Sequence, residues 1–430
     1  MLGNDAARRL QAKAHDLTGP SSLDALIERV GDSKVVMLGE ASHGTHEYYA
    51  WRAEITLRLI REKGFDFVAV EGDWPDCYAI DRFIKGHDGN DPKAPLLRFD
   101  RWPTWMWANW EVAALAERLH RFNAEAERPV GFYGLDVYSL WESLDEVRNH
   151  LRANHPELVP AGESLYDCFH PYNREGSEYA WGLRFGLKGC ADEIVDVLSA
   201  LLRKRGERFE NEEDHFYAEQ NARVVRDAER YYRTMAGNDE KSWNVRDIHM
   251  ADTLDRLLER HGPDAKGIVW EHNTHIGDAR YTDMADGGMI NLGQLGRERH
   301  GRKNVALIGF GSYRGSVIAG DAWGAPMERM EMPDAQEGSW ETLLHGALGR
   351  NALLLSDDLR SLEDFAGWRG HRAVGVVYHP EREKYGNYVP TQLVNRYDAF
   401  LYFEETQALH PLKMTPTSAT EPPETYPFGV

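Results

Sequence analysis

Short apolar runs, most of them ending in a residue that can do chemistry, set the strongest limit on how this chain folds. Runs at 34–39, 65–71, 128–135, 267–271, 304–309, 372–378 and 399–403 have the length and apolar continuity of buried strands. Helical periodicity fills most of the gaps, at 46–63 (with Gly64 as a stop), 107–126, 139–154, 177–204 and 212–261. Strands alternating with helices specify a mainly parallel sheet covered on both faces, a three-layer α/β/α fold. With 42% hydrophobic residues in 430, the chain can bury such a core, and 28% charged residues is too few for global disorder.

The alternation fails in the middle. Residues 139–265 contain no convincing strand and read as a helical insertion packed over the active edge of the sheet. The α/β core is therefore expected to be discontinuous, from 1–138 and 266–410. The Pro-rich stretch 411–430 is expected to be an extended strap or disordered.

The ends of the runs carry the functional signal. The first ends in Glu40 with His43 three residues on, the second in Glu71, the third in Asp136. The fourth ends in Glu271-His272-Asn273-Thr274-His275, the fifth in Gly311-Ser312-Tyr313-Arg314, and the run 374–378 in His379. Read alone, Glu40 to Thr45 is a helix cap, through Ser42 or Thr45, with polar neighbours. In a parallel sheet, however, the strand ends lie along one edge, where ligands bind, so these carboxylates and imidazoles converge on one cleft.

Arg52 is an independent clue. At 100° per residue it falls inside the apolar stripe of the 46–63 helix with Tyr48 and Ile55. A charge there must be paired, or its stem must snorkel to solvent; with Glu40 and Glu71 on adjacent strands, pairing with those carboxylates is expected. The aromatic segment containing Trp105 and Trp107 is either core packing or a wall over a bulky apolar ligand. Arg246, in Asn244-Val245-Arg246-Asp247, sits at a helix cap or reaches the cleft.

Composition and missing motifs narrow the function. A formal charge of -20 repels phosphate backbones and anionic membrane surfaces, which leaves a small neutral or cationic molecule as the expected partner. Cys77, Cys168 and Cys190 are far apart and form no CxxC pair, an argument against a disulfide framework and for a reducing, cytoplasmic setting. Cys77 reads as packing. The first residues lack a signal-peptide core, and no run is long enough to span a bilayer. GxxxxGK[ST], HExxH, a GxGxxG after the first strand and a GxSxG nucleophile elbow are all missing.

The pattern Gly39-Glu40-x-x-His43-Gly44-x-x-Glu47, then Arg52, then Glu71 after the next strand, then His272-Asn273-x-His275, resembles the erythromycin esterase family. Trp105-Met106-Trp107, Gly134 to Ser139 and Gly309 to Arg314 extend the resemblance, which spans residues 30–405 in family order. It implies an α/β/α sheet with a large helical insertion, related to ChaN-type haem-binding proteins and TIKI-type metalloproteases. It also implies hydrolysis of an ester or lactone with no covalent intermediate and no cofactor. In that scheme His43 is the general base, Glu40 or Glu71 orients it, and His272, His275 and Arg52 hold the carbonyl and the developing oxyanion. Trp105, Trp107, Asp136, Arg246 and Tyr313 become candidate substrate contacts. Macrolide resistance belongs to only some such relatives. Two other readings use the same cluster: a divalent metal held by Glu40, His43, Glu71, His272 and His275, and a non-catalytic cleft for haem or another ligand.

Overall fold

The computed structural model describes residues 4–172, 176–204, 212–235 and 239–413. Its strands are β1 (His15–Asp16), β2 (Val35–Leu38), β3 (Phe67–Val70), β4 (Gly131–Gly134), β5 (Gly267–Trp270), β6 (Val305–Ala319), β7 (Glu328–Met332), β8 (Ala352–Leu355), β9 (Arg369–Arg372), β10 (Tyr388–Thr391) and β11 (Ala399–Thr406). The main sheet has the order β1-β8-β11-β6-β2-β5-β3-β4, with β7 paired to β6. From β11 to β4 all neighbours are parallel; β1, β7 and β8 pair antiparallel. β9 and β10 form a separate two-stranded sheet.

Both faces of the parallel strands are buried, which is why β2 reads VVML and β3 FVAV without polar alternation. Alternate residues nevertheless divide between two cores. Val36, Leu38, Val68, Val70, Ile268 and Trp270 face one layer, containing helices His46–Lys63, Trp74–Ile84 and Trp110–Asn123. Val35, Met37, Phe67, Ala69 and Val269 face the other, with Leu254 and Leu257 of helix Asp239–His261 and with Trp340. The fold is therefore the expected α/β/α arrangement, with a mixed sheet.

The chain leaves β2 for β3 and β4, returns to insert β5 between β2 and β3, and then places β6 on the other side of β2. The C-terminal ends of β2, β5, β3 and β4 thus lie side by side. Between β4 and β5 the described residues are helical: Leu140–Asn154, Val159–Phe169, Gly176–Arg184, Ala191–Lys204, Glu212–Met235 and Asp239–His261, with short 3-10 turns. They share their own core of Leu144, Leu151, Phe169, Leu201, Val225 and Tyr231. No described helix is long and apolar enough to cross a membrane.

Several sequence expectations are corrected. The runs 177–204 and 212–261 each break into two helices. The run 372–378 is not a strand of the main sheet: past β9 it makes only isolated bridges, Val374 to Ser42 and Val377 to Gly320, and it is apolar because it is buried against the cleft edge. β6 does not end near 309 but continues to Ala319. Cys168 and Cys190 form a disulfide, Cα atoms 5.9 Å apart, so the argument from cysteine spacing to a reducing compartment no longer stands. Folding, not spacing, brings these residues of the helical region together. Cys77 is free and buried, as expected. Of the Pro-rich stretch, residues 414–430 lie outside the described residues. Residues before it strap the cleft side of the molecule: Gly44 O accepts from Leu409 N at 2.9 Å, and Ala108 O accepts from Leu412 N at 2.8 Å.

Gly44 is where that strap, β6 and the loop after β2 cross. Its carbonyl also accepts from Ile318 N at 3.0 Å, and a Cβ on it would lie 2.0 Å from Ile318 O. Two backbones held by hydrogen bonds have no room to yield. Gly44→Ala is predicted to destabilise the fold by on the order of 3 kcal/mol in urea unfolding. A change within about 0.5 kcal/mol, the range of an ordinary surface substitution, would contradict this packing.

Candidate active site

The loop after β2 carries Glu40 and His43 into the helix that bears Arg52, and the three form a chain. Glu40 Oε1 accepts from His43 Nδ1 at 2.8 Å, and Glu40 Oε2 accepts from Arg52 Nη2 at 2.7 Å. Arg52 is 0% exposed, its guanidinium 4.2 Å from the Tyr49 ring centroid and 4.6 Å from that of Trp270. The pairing inferred from its place in the apolar stripe is present. Arg52 does not line the cleft, however, which corrects the expectation that it touches the carbonyl or the oxyanion. It is a positioning residue.

A second cation organises the ends of β3, β4 and β5. Arg246 donates to Asp136 from Nε (2.9 Å) and Nη2 (2.7 Å), and to Glu71 Oε1 from Nη2 (2.8 Å); its Nη1 lies 3.0 Å from His275 Nε2. Glu71 Oε2 accepts the backbone N–H of His272 at 2.8 Å. His275 Nδ1 lies 3.0 Å from Asp247 Oδ2, and its ring stacks on Trp243 with centroids 4.5 Å apart. Asp247 in turn accepts Leu292 N at 2.8 Å. Arg246 and Asp247 lie inside helix Asp239–His261 rather than at its cap, so the helical region supplies the centre of the site.

His272 follows β5 and faces His43, ring centroids 4.9 Å apart. Its Nδ1 accepts Thr274 N at 3.3 Å and lies 2.8 Å from Thr274 Oγ1. A ring nitrogen that accepts leaves the proton on Nε2, and a backbone hydrogen bond with Ala41 works against the lowering of the ring's pKa.

Burial and charge set the protonation states. Burial alone would lower the pKa of His43, but Glu71 and Glu40 together raise it above the ordinary imidazole value. Burial, and then His43, push His272 well below that value, so its ring is neutral. Burial would raise Glu71, yet His275, His43 and Arg246 hold it far below the carboxylate range. Asp247 is raised by burial against the pull of His275.

His43, Glu71, Asp136, Arg246, His272 and His275 line one cleft, walled on its apolar side by Phe99, Trp102, Met106, Trp107 and Trp323. Of the candidate substrate contacts, Trp107, Asp136 and Arg246 are therefore at the cleft. Trp105 and Tyr313 are not. Trp105 is 0% exposed and packs edge-on against Trp102, which is the core-packing alternative. Tyr313 lies within β6 and stacks on His345 instead, because β6 does not end at that point. His379 is also absent from the cleft wall. Trp102, Trp243 and Trp323 are wall residues that periodicity did not single out; for Trp102, its place in the same Trp-rich segment was the available signal.

Four of the five proposed metal ligands, Glu40, His43, Glu71 and His275, are hydrogen-bonded to neighbouring groups. Both oxygens of Glu40 and both of Glu71 are hydrogen-bonded, His43 Nδ1 is held by Glu40, and His275 lies between Asp247 and a guanidinium. A cation 3.0 Å from His275 Nε2 stands where a metal would have to bind. A divalent ion could bind here only if these contacts were exchanged.

Glu271 sits beside this network but differs from it. It is 0% exposed, neither carboxyl oxygen has a hydrogen-bond partner, and burial together with Glu71 and Asp247 raises its pKa well above the usual range. A carboxyl raised on folding contributes stability below its unfolded pKa and loses it as pH rises towards the folded one. Glu271→Gln is predicted to stabilise the fold at mildly alkaline pH, with a gain that shrinks towards about pH 4, the unfolded carboxyl value. Equal effects at both pH values in parallel urea titrations would show that Glu271 is not held neutral.

The chain is similar in sequence and in fold to known proteins. The family model described as Erythromycin esterase matches residues 60–406; Glu40, His43 and Arg52 precede the matched stretch. "Putative hydrolase YbfO" of Bacillus subtilis (strain 168) is 22% identical over 400 residues, covering 86% of this chain and 83% of its own. Erythromycin esterase type II of Escherichia coli is 21% identical over 373 residues, covering 77% and 84%. Among solved structures, an erythromycin esterase mutant in its open conformation superposes with a TM-score of 0.68 at 16% identity, covering 91% of this chain and 95% of that one.

Proposed function

The chain belongs to the erythromycin esterase family and is a hydrolase of that family; on that premise we propose that it cleaves a carboxylic ester or lactone by attack of water activated by His43. The chain Arg52–Glu40–His43 carries this reading. Glu40 holds the His43 proton on Nδ1, which makes Nε2 the basic nitrogen, and Arg52 fixes Glu40 in place. The raised pKa of His43 strengthens it as a base near neutral pH, a role worth roughly 10²–10⁴-fold in rate.

Nε2 of His43 takes a proton from water as the water oxygen bonds to the substrate carbonyl carbon. The carbonyl oxygen becomes the oxyanion, and neutral His272 and the guanidinium of Arg246, both on the cleft wall, stabilise it. Collapse breaks the bond to the alkoxy oxygen, which takes the proton back from His43, leaving a carboxylic acid and an alcohol. No serine or cysteine lines the cleft among the described residues, which supports water rather than a serine or cysteine side chain as the nucleophile. No step is routed through a metal.

Four tryptophans, Trp102, Trp107, Trp243 and Trp323, line the cleft. Its tryptophan wall suits a bulky, largely apolar substrate, a class that includes macrolactones.

The test is hydrolysis of a panel of esters and macrolactones by chelator-treated protein. Wild type is expected to turn over at least one member with an acid limb in kcat/KM set by deprotonation of His43, above the ordinary value of about 6.5. Glu40→Gln should move that limb down, since the carboxylate that favours the imidazolium is gone, and His43→Asn should lose on the order of 10²-fold or more. An unchanged rate in His43→Asn, or activity that returns only with added metal, would overturn the mechanism.

A further inference from the structure

Away from the cleft, three imidazoles meet in the helical region. His150 lies in the last part of helix Leu140–Asn154, His155 in the turn that ends it, and His215 near the start of helix Glu212–Met235. His155 and His215 are 5% and 6% exposed, and His150 is half-buried. The ring centroids are 5.4 Å (150–155), 6.0 Å (150–215) and 6.2 Å (155–215) apart. One nitrogen from each ring lies within 4.8 Å of the other two. The catalytic scheme uses none of them.

We propose that His150, His155 and His215 form a second site of this protein, one that binds a divalent transition ion of the zinc class. Three imidazoles without thiolates suit Zn²⁺, at Zn–N distances of about 2.0–2.1 Å, with the fourth position left for water. Drawing nitrogens from 4.8 Å to the spacing of a tetrahedral shell takes small side-chain rotations, because the two helices already bring the rings together.

The surroundings of the rings support this. His155 Nδ1 is 3.7 Å from the Glu157 carboxylate, which lies 3.4 Å from Lys204 Nζ. A carboxylate behind one ring nitrogen is the usual means of orienting the other towards a metal. His150 Nδ1 lies 3.3 Å from the Asn154 side-chain amide, whose ends interchange by a flip, while the buried His150 Nε2 has no hydrogen-bond partner. Ions have a way in, because His150 and Asn154 line a surface groove with Pro75, Tyr78 and Arg98. A bound ion would tie helix Leu140–Asn154 to helix Glu212–Met235, the helix packed next to the one that carries Arg246.

The full chain, freed of metal by chelator, is titrated with zinc against a chromophoric competitor at neutral pH. One tight equivalent is expected in wild type. In His150→Gln and His215→Gln that equivalent should weaken on the order of 100-fold. It should persist in His272→Gln, a cleft residue, and in His410→Gln, which belongs to a separate His46–Glu111–His410 group. Zinc should also raise the unfolding temperature of wild type but not of His150→Gln, whose metal-free unfolding reports any folding defect. No tight equivalent in wild type, or one that survives in both His150→Gln and His215→Gln, overturns the proposal. Hydrolysis is not a readout here, so the result is independent of the esterase reading.

Discussion

The site depends on one buried ion pair. Arg52 has no exposed surface and is paired with a carboxylate while two aromatic rings flank it. A buried pair of this kind contributes little net stability, but removing one partner strands the other charge at a cost of about 3–5 kcal/mol. What the pair does is fix position. One Glu40 oxygen is committed to Arg52 and the other to His43, so the imidazole is held in one orientation. Every step of the proposed hydrolysis follows from that.

Arg246 does the same on the other side of the cleft. It draws Glu71, Asp136 and His275, from the ends of three different strands, around one guanidinium. Without it, two carboxylates would repel each other within a site already rich in acid. In a chain with a net charge of -20, the two arginines set positive charge against the carboxylates buried around the cleft. Arg246 comes from the helical region, so the catalytic edge of the sheet is incomplete without helix Asp239–His261.

Much of this was legible in the sequence, for identifiable reasons. The central strands are buried on both faces, so their apolar runs stand out, and the residues that end them had to lie along one edge. Arg52 was legible because a charge in an apolar stripe demands a partner. Other features depend on three-dimensional neighbours that no period reports. β6 runs on past Gly309 because β7 and β11 pair with its later half. The run at 372–378 is apolar from burial alone. Trp105 and Trp107 sit two residues apart in one segment, yet only Trp107 reaches the cleft, donating to Glu71 O at 3.0 Å. The Cys168–Cys190 bond likewise reflects helix packing rather than spacing.

The central claim concerns a single proton on His43. Nitrogen-15 NMR of the histidine side chains, with His43→Asn used to assign the signals, reports which ring nitrogen carries it once the ring is neutral. The account predicts a proton on Nδ1, shared with Glu40, and an unprotonated Nε2 facing the cleft. A neutral His43 protonated on Nε2 would leave no base directed at water and would contradict it.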